Sequence, residues 1–492
     1  MKKSPYKLIT TSLVCTAIFG FIGCSDMLSK LDNIHWGATY TVRHLLQNLN
    51  RDGTAVAEGQ YTEDLYERET LVNTVPNTPS EAKAKEIPGF TAKHFEQVIV
   101  NGDGSTTINI KYNRNEVELT FDANGGYFVN TEGNEVPQKT IKRIYGTTVS
   151  LPKPKLDSDE SIKVSLYNLV PVSGSTNLNV SSDDMFIKFP VPPTSGTYRA
   201  LWDFSTSVDN FSNALEKMPI SGGKVTLKGE DVTKNDFSSI ASSIKTLAKD
   251  TDKKIELDLR QLQIGENEEI IIEFYEATIR DNLALTKVEL PVTGKISLGE
   301  NALKMCSNLE YISIGKNVEI ADTNPFWGCH KLEFHVASDH LVASKDKKAL
   351  LRKPQNGEEG YTLVSYPSAT GVVDLGKLGD RYTITTIGKE ALGYIPKGKT
   401  TIIIPESVKV IREDAVMQYP DNDNELTIIM EGSQPPELPS NDPGPEGAHA
   451  AFYSKPRIHI HIYVPDDSED IYKSEWSNYA DNIQPMSKYK PQ

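Results

Sequence analysis

Leu285-Thr286-Lys287-Val288-Glu289-Leu290-Pro291 returns, 24 positions on, as Leu309-Glu310-Tyr311-Ile312-Ser313-Ile314-Gly315. Apolar and polar residues alternate in the second run, the period of a strand with one buried face. The neighbourhood repeats with it. Asn308-Leu309 after Cys306 matches Lys331-Leu332 after Cys329, 23 positions apart. Leu298-Gly299-Glu300-Asn301-Ala302-Leu303 returns as Ile387-Gly388-Lys389-Glu390-Ala391-Leu392 and, 24 further on, as Ile411-Arg412-Glu413-Asp414-Ala415-Val416. Thr401-Ile402-Ile403-Ile404-Pro405 repeats the strand. One such unit cannot bury its own apolar face, so copies must stack and share a core. Leu309, Ile312, Ile314, Leu332, Phe334 and Val336 are expected to line that core. Glu310, Tyr311, Ser313, Glu333 and His335 are expected on the open face, as contacts for a partner or simply as solvated residues.

Toward the N-terminus, Val208, Phe211, Ala214, Leu215 and Met218 mark one face of a helix that Pro219 and Gly222-Gly223 stop. Thr233, with Asp236 three residues on, opens a second helix as a capping box, and Phe237, Ile240, Ile244 and Leu247 form its stripe. Strands at 224–228 and 254–259 follow the two helices. Toward the C-terminus, an insertion at 344–365 interrupts the copies, with Ala349-Leu350-Leu351-Arg352 and Tyr361-Thr362-Leu363-Val364-Ser365 as a hairpin-like pair. Ile458-His459-Ile460-His461-Ile462-Tyr463-Val464-Pro465 is a last strand. A helix with Ile471, Tyr472, Trp476 and Ala480 then caps the array at 466–492, because an open end would expose apolar surface and strand edges. The proline-rich stretch 433–447 is expected to be an exposed loop.

Residues 39–115 alternate strand-like runs with polar turns, and Asn101-Gly102-Asp103-Gly104 between two β-rich runs predicts a hairpin. Residues 116–155 hold Val117-Glu118-Leu119-Thr120-Phe121-Asp122-Ala123-Asn124-Gly125-Gly126, whose last three residues permit a tight turn, and Tyr145-Gly146-Thr147-Thr148-Val149-Ser150-Leu151-Pro152. Residues 156–205 read as a linker or irregular β region, with Phe189-Pro190-Val191-Pro192-Pro193 as a stiff connector or edge strand.

The leader is an address. Lys2, Lys3 and Lys7 precede an uncharged stretch at 8–22 that is too short to span a bilayer and reads as the apolar part of a signal peptide, residues 1–23. Removing it takes the net charge from −15 to −18, since it carries three lysines and no acid. So acidic a chain is a poor partner for nucleic acid or anionic lipid heads. With four cysteines in 492 residues it is no disulfide scaffold, and the length suggests several domains.

Motifs for catalysis are lacking. There is no G-x-S-x-G, P-loop or H-E-x-x-H, and no cofactor is expected. His459 and His461 share a strand face without a third ligand at useful spacing. Asp421-Asn422-Asp423-Asn424-Glu425 lacks the glycine and distal glutamate of a calcium loop. Cys306 and Cys329 occupy one repeat position and are either a disulfide formed after export or two equivalent small core residues.

The combined pattern I-G-x-x-A-hydrophobic-x-x-C-x-x-L-x-x-I-x-I-P resembles the BspA-like class of bacterial surface leucine-rich repeats. Residues 116–155 resemble the internalin-type B repeat, although its Gly-Tyr-x-Phe-x-Gly-Trp continuation does not follow, so the unit is read as truncated or merged with its neighbour. Residues 39–115 resemble mucin-binding-type β-grasp modules, and Phe21-Ile22-Gly23-Cys24 resembles a bacterial lipobox with Phe in place of Leu. These resemblances imply a mainly β fold with some α: a tether at 24–38, β-grasp-like modules, a leucine-rich-repeat solenoid over 206–465 and its cap. They imply lipidation at Cys24, a bacterial outer-membrane anchor exposed at the cell surface, and adhesion to a protein or glycan, such as host extracellular matrix, without catalysis. A structural or assembly lipoprotein facing the periplasm, or a glycan-active enzyme, are the alternatives.

Overall fold

A computed structural model describes residues 38–491 apart from 74, 76, 159, 173, 251–252, 267, 274–282, 301, 321–322, 356, 358, 379–381, 396–398, 419–424, 446 and 454–458. The leader, Cys24 and the acidic run at 421–424 lie outside the described residues. Strand accounts for 45% and helix for 11%, so the fold is mainly β with some α. The chain divides into two compact units.

The smaller unit takes in residues up to Glu118 with Lys142–Val149 and Pro190–Ser195. Ala38–Leu49 runs through its sheet, parallel to Thr107–Arg114 and antiparallel to Val56–Glu63 and Glu69–Asn73. Phe90–Ala92 adds to the far side of Thr107–Arg114. Period-2 alternation puts Tyr40, Val42, Ile108, Ile110 and Tyr112 in one core. The turn at Asn101–Gly104 forms, with Gly104 at φ 76°, but it does not close a hairpin. Ile99 bridges Pro79 instead of the following strand.

In the larger unit, Gly196–Ser207, Gly223–Val232, Ile255–Ile264, Leu285–Glu289, Tyr311–Ile314 and Glu333–Val336 pair in that order, all parallel. Lys287 lies beside Tyr311, and Tyr311 beside Glu333, so successive strands meet 24 and 22 residues apart. Parallel neighbours need crossovers. Helices Phe211–Lys217 and Lys234–Asp250 supply the first two and bury Phe211, Ala214, Leu215, Phe237, Ile240, Ile244 and Leu247. The capping box is present: the Thr233 amide donates to Asp236 Oδ2 at 2.8 Å and the Asp236 amide to Thr233 Oγ1 at 3.4 Å.

The expected boundaries at 155 and 205 do not part the sheets. Gly196–Ser207 pairs with Glu116–Asp122 in parallel and with Ile162–Pro171 antiparallel, so 156–205 carries strands of this sheet, the irregular β region of the two expectations. On Gly196–Ser207, Tyr198 lies beside Phe121 and Trp202 is buried. The Asn124-Gly125-Gly126 turn sits against it. A Cβ on Gly126 would lie 2.2 Å from the Lys155 carbonyl and 2.6 Å from the Trp202 ring.

A second parallel ladder joins Glu269–Ile272, Lys295–Leu298 and Val318–Ile320. After the insertion, parallel ladders resume. Val372–Asp374, Lys399–Ile404, Glu425–Met430, His459–Val464 and Ile483–Pro485 form one. Leu392–Ile395, Val416–Gln418 and Phe452–Tyr453 form another. The insertion starts slightly earlier than expected, as an antiparallel meander of Leu341–Ala343, Leu350–Arg352 and Tyr361–Ser365. The ladders before and after it are separate sheets, joined by hydrogen bonds outside the strands. The Leu303 amide donates to the Pro325 carbonyl at 3.0 Å, buried Asn324 donates to the Glu390 carbonyl at 2.9 Å, and the Asp414 amide donates to the Ala450 carbonyl at 2.9 Å.

Leu309, Ile312, Ile314, Leu332 and Phe334 are buried in the core, as are the Cys306 and Cys329 thiols, which are not joined in a disulfide. Val336 is only half-buried, because its strand is the last of its sheet. The proline-rich loop is docked rather than free at its base. Tyr472 Oη donates to the Gly432 carbonyl at 2.9 Å, Trp476 Nε1 to Pro436 at 3.0 Å and Asn478 Nδ2 to Asp442 at 2.7 Å.

Candidate functional site

Pleating sends alternate side chains of the long sheet outward, and the register aligns them in two rows. Asp203, Lys224, Glu256, Lys287, Tyr311 and Glu333 form one, and Ser205, Thr226, Asp258, Glu289, Ser313 and His335 the other. Charges alternate along the first row, and the two acids of the second, Asp258 and Glu289, pair with cations beside them. Lys224 Nζ lies 3.4 Å from Asp203 and 3.0 Å from Asp258. Arg260 bridges Asp258 at 2.7 Å and Glu289 at 3.1 Å, and Lys287 lies 3.5 Å from Glu289. Asp258 is 2% exposed. Burial alone would raise its carboxyl, but hydrogen bonds from Arg260 and Lys224 outweigh that and hold it at about 2. An acid so placed stays ionised at neutral pH, which suits recognition of donors and not proton delivery.

The rows end at a cleft of about 740 Å³ between the strand ends and the insertion. Its floor is Arg260, Glu289, Tyr311, Ser313 and His335, and its far wall is Leu341–Lys345 with Lys347 and Tyr382. The Tyr311 and His335 rings are 4.1 Å apart at 32°. Lys287 Nζ lies 4.7 Å from the Tyr311 ring centre, and Lys347 Nζ donates to His335 Nδ1 at 3.5 Å. Burial pushes the His335 imidazole below its ordinary value, Lys347 adds to that and Glu333 opposes it.

Of the residues expected on the open face, Tyr311, Ser313 and His335 line the cleft. Glu333 is exposed beside His335, at 4.0 Å, and outside the lining. Glu310 precedes its strand and is exposed outside both rows. Arg260 and Lys347 were not expected: the first lies before the recurring pattern and the second in the insertion. The signal for Arg260 is the polar alternation Glu256, Asp258, Arg260 in the strand before the first copy. Among the described residues no group of three or more His, Cys, Asp or Glu is placed to hold a metal, and the His459 side chain lies outside the description.

A second acidic position is structural. Glu390 and Asp414 fill the same place in two copies, with φ 56° and 51°, where the chain turns a corner in a left-handed conformation. Glu390 is 7% exposed and its Oε2 has no hydrogen-bond partner. Burial raises its carboxyl, Lys304 opposes, and Glu300 and Asp414 raise it further. The folded chain therefore binds this proton more tightly than the unfolded one. Stability from this group is present below the ordinary carboxylate range and is lost as pH rises. Glu390→Gln is expected to stabilise the chain by about 1 kcal/mol at neutral pH and to make little difference near about pH 4, as read by urea unfolding at both. No gain at neutral pH would contradict this. No family model matches the chain, and no curated protein matches it.

Proposed function

We propose that this chain is a lipid-anchored protein of a bacterial cell surface, an adhesin-like binder that meets other macromolecules with the open face of a leucine-rich-repeat solenoid of the BspA-like kind. Stacked parallel rungs 22 to 24 residues apart support the solenoid reading. In the smaller unit, two strands paired in parallel with antiparallel strands outside support a β-grasp-like module as part of a stalk. The observation that carries the proposal is the pair of outward rows that runs into a cleft with aromatic, hydroxyl and charged groups. A rigid scaffold with such convergent polar groups is suited to binding.

The test is a screen of the chain from Cys24 onward against matrix proteins and glycans, with protease digestion of intact cells in parallel. Arg260→Ala is expected to weaken the ligand found by at least about tenfold, about 1.4 kcal/mol. Full protection of the protein on intact cells would favour a role facing the periplasm and end the adhesin reading.

A further inference from the structure

In the cleft the Tyr311 and His335 rings stack on each other at 4.1 Å, with the Lys287 ammonium over the Tyr311 ring and the Lys347 ammonium beside His335 Nδ1. Lys347 is fixed by its turn. Its φ is 62°, unusual for a lysine. Its amide donates to the Ser344 carbonyl at 2.9 Å and its carbonyl accepts from Phe334 at 2.7 Å, which ties the turn to the last strand of the sheet. Lys345, Lys347 and Lys348 are exposed on this turn. Asp346, its acid, accepts from the Ser344 hydroxyl and the Lys348 amide. On a chain of net charge −15, this lip is locally positive.

We propose that the cleft binds an acidic saccharide, whose carboxylate or sulfate is met by Lys347 and whose ring packs beside the stacked Tyr311 and His335 rings. The inference rests on the binding reading above and names its ligand class. An ammonium donating to an anion makes a short, strong, charge-assisted bond. Ser313 accepts from the Leu290 amide at 3.2 Å through its oxygen, which leaves its proton to donate to a sugar hydroxyl. Tyr311–Ile314 is paired on both sides, and on the last strand, Glu333–Val336, the Phe334 amide is already taken by the Lys347 carbonyl, which narrows the main-chain route by which an extended peptide adds to a sheet.

The test titrates the chain from Cys24 onward with four probes: an oligogalacturonate, its neutral methyl ester, a sulfated oligosaccharide and its desulfated form. Binding of at least one acidic probe is expected, at least tenfold tighter than its neutral counterpart and weakening with salt. The two arms tell carboxylate from sulfate. Lys347→Gly removes the ammonium and eases the backbone, so it is expected to cost tenfold or more in affinity without loss of the urea midpoint. Tyr311→Phe keeps the ring and is expected to bind within a few-fold, and Tyr311→Ala is expected to lose binding. Equal binding of neutral and acidic probes, full affinity in Lys347→Gly, or equally tight binding of polyglutamate would each overturn the proposal. If a protein ligand from the wider screen binds and depends on Arg260 while no acidic saccharide does, this inference fails and the broader reading stands.

Discussion

Trp202→Ala is expected to cost the larger unit about 3–5 kcal/mol, most of the stability of an ordinary domain. The indole is 1% exposed, and its Nε1 donates to the carbonyls of Ala123 at 3.1 Å and Asn124 at 3.0 Å. Asn124 in turn donates to the Ala200 carbonyl at 2.8 Å and accepts from Ser221 Oγ at 2.7 Å. Removing the ring therefore opens a cavity and strands two buried carbonyls where the 121–126 turn meets the sheet. Equilibrium urea unfolding measures the loss. Trp202→Phe keeps most of the volume and forfeits the two hydrogen bonds, so it is expected to cost only about 1–3 kcal/mol. A loss under about 1 kcal/mol in Trp202→Ala would mean that the turn is not held by this strand.

The second large effect is expected at the C-terminal end. Trp476 is 3% exposed, 5.1 Å from the Tyr472 ring and 5.6 Å from Phe452, and hydrogen-bonded to Pro436. Trp476→Ala is expected to cost a further ~3–5 kcal/mol. It should also release the base of the 433–447 loop, since the tryptophan and its helix neighbours Tyr472 and Asn478 supply the bonds that hold it. Limited proteolysis is the readout: a first cut inside 433–447 in the variant and none there in the parent. An unchanged cleavage pattern would show that the loop holds itself. The freed end of the sheet would also expose a strand edge, so the variant is expected to self-associate at high concentration.

What the sequence discloses follows from how local the cause is. Period-2 alternation decides which face a residue takes, and it placed Ile312, Ile314 and Phe334 inside and Tyr311, Ser313 and His335 outside without knowledge of any neighbour. The capping box at Thr233 and Asp236 is equally local. Partner choice between strands is not. Nothing near Leu119 announces that Gly196, 77 positions later, will lie beside it, so the segments 116–155 and 156–205 were read as separate pieces when they share a sheet. Arg260 was missed because the recurring pattern starts after it, and Lys347 because turn residues carry no period. The proline-rich loop is exposed over much of its length, as its composition suggests, but composition does not show that the cap's hydroxyl, indole and Asn478 amide tie its base from 36 to 40 residues away.

The buried amide of Asn324 reaches Glu390 across 66 residues of sequence. The meander at 341–365 is built into the same masonry: Tyr361–Ser365 pairs in parallel with Ile384–Ile387, and Leu351 and Leu363 are fully buried. Its exposed turn at 345–348 is not. Lengthening such a turn is cheap, because closure entropy grows only with the logarithm of its length. Exchanging that turn for another should leave the masonry standing while reshaping the mouth beside Tyr311. One frame can then carry many different grips.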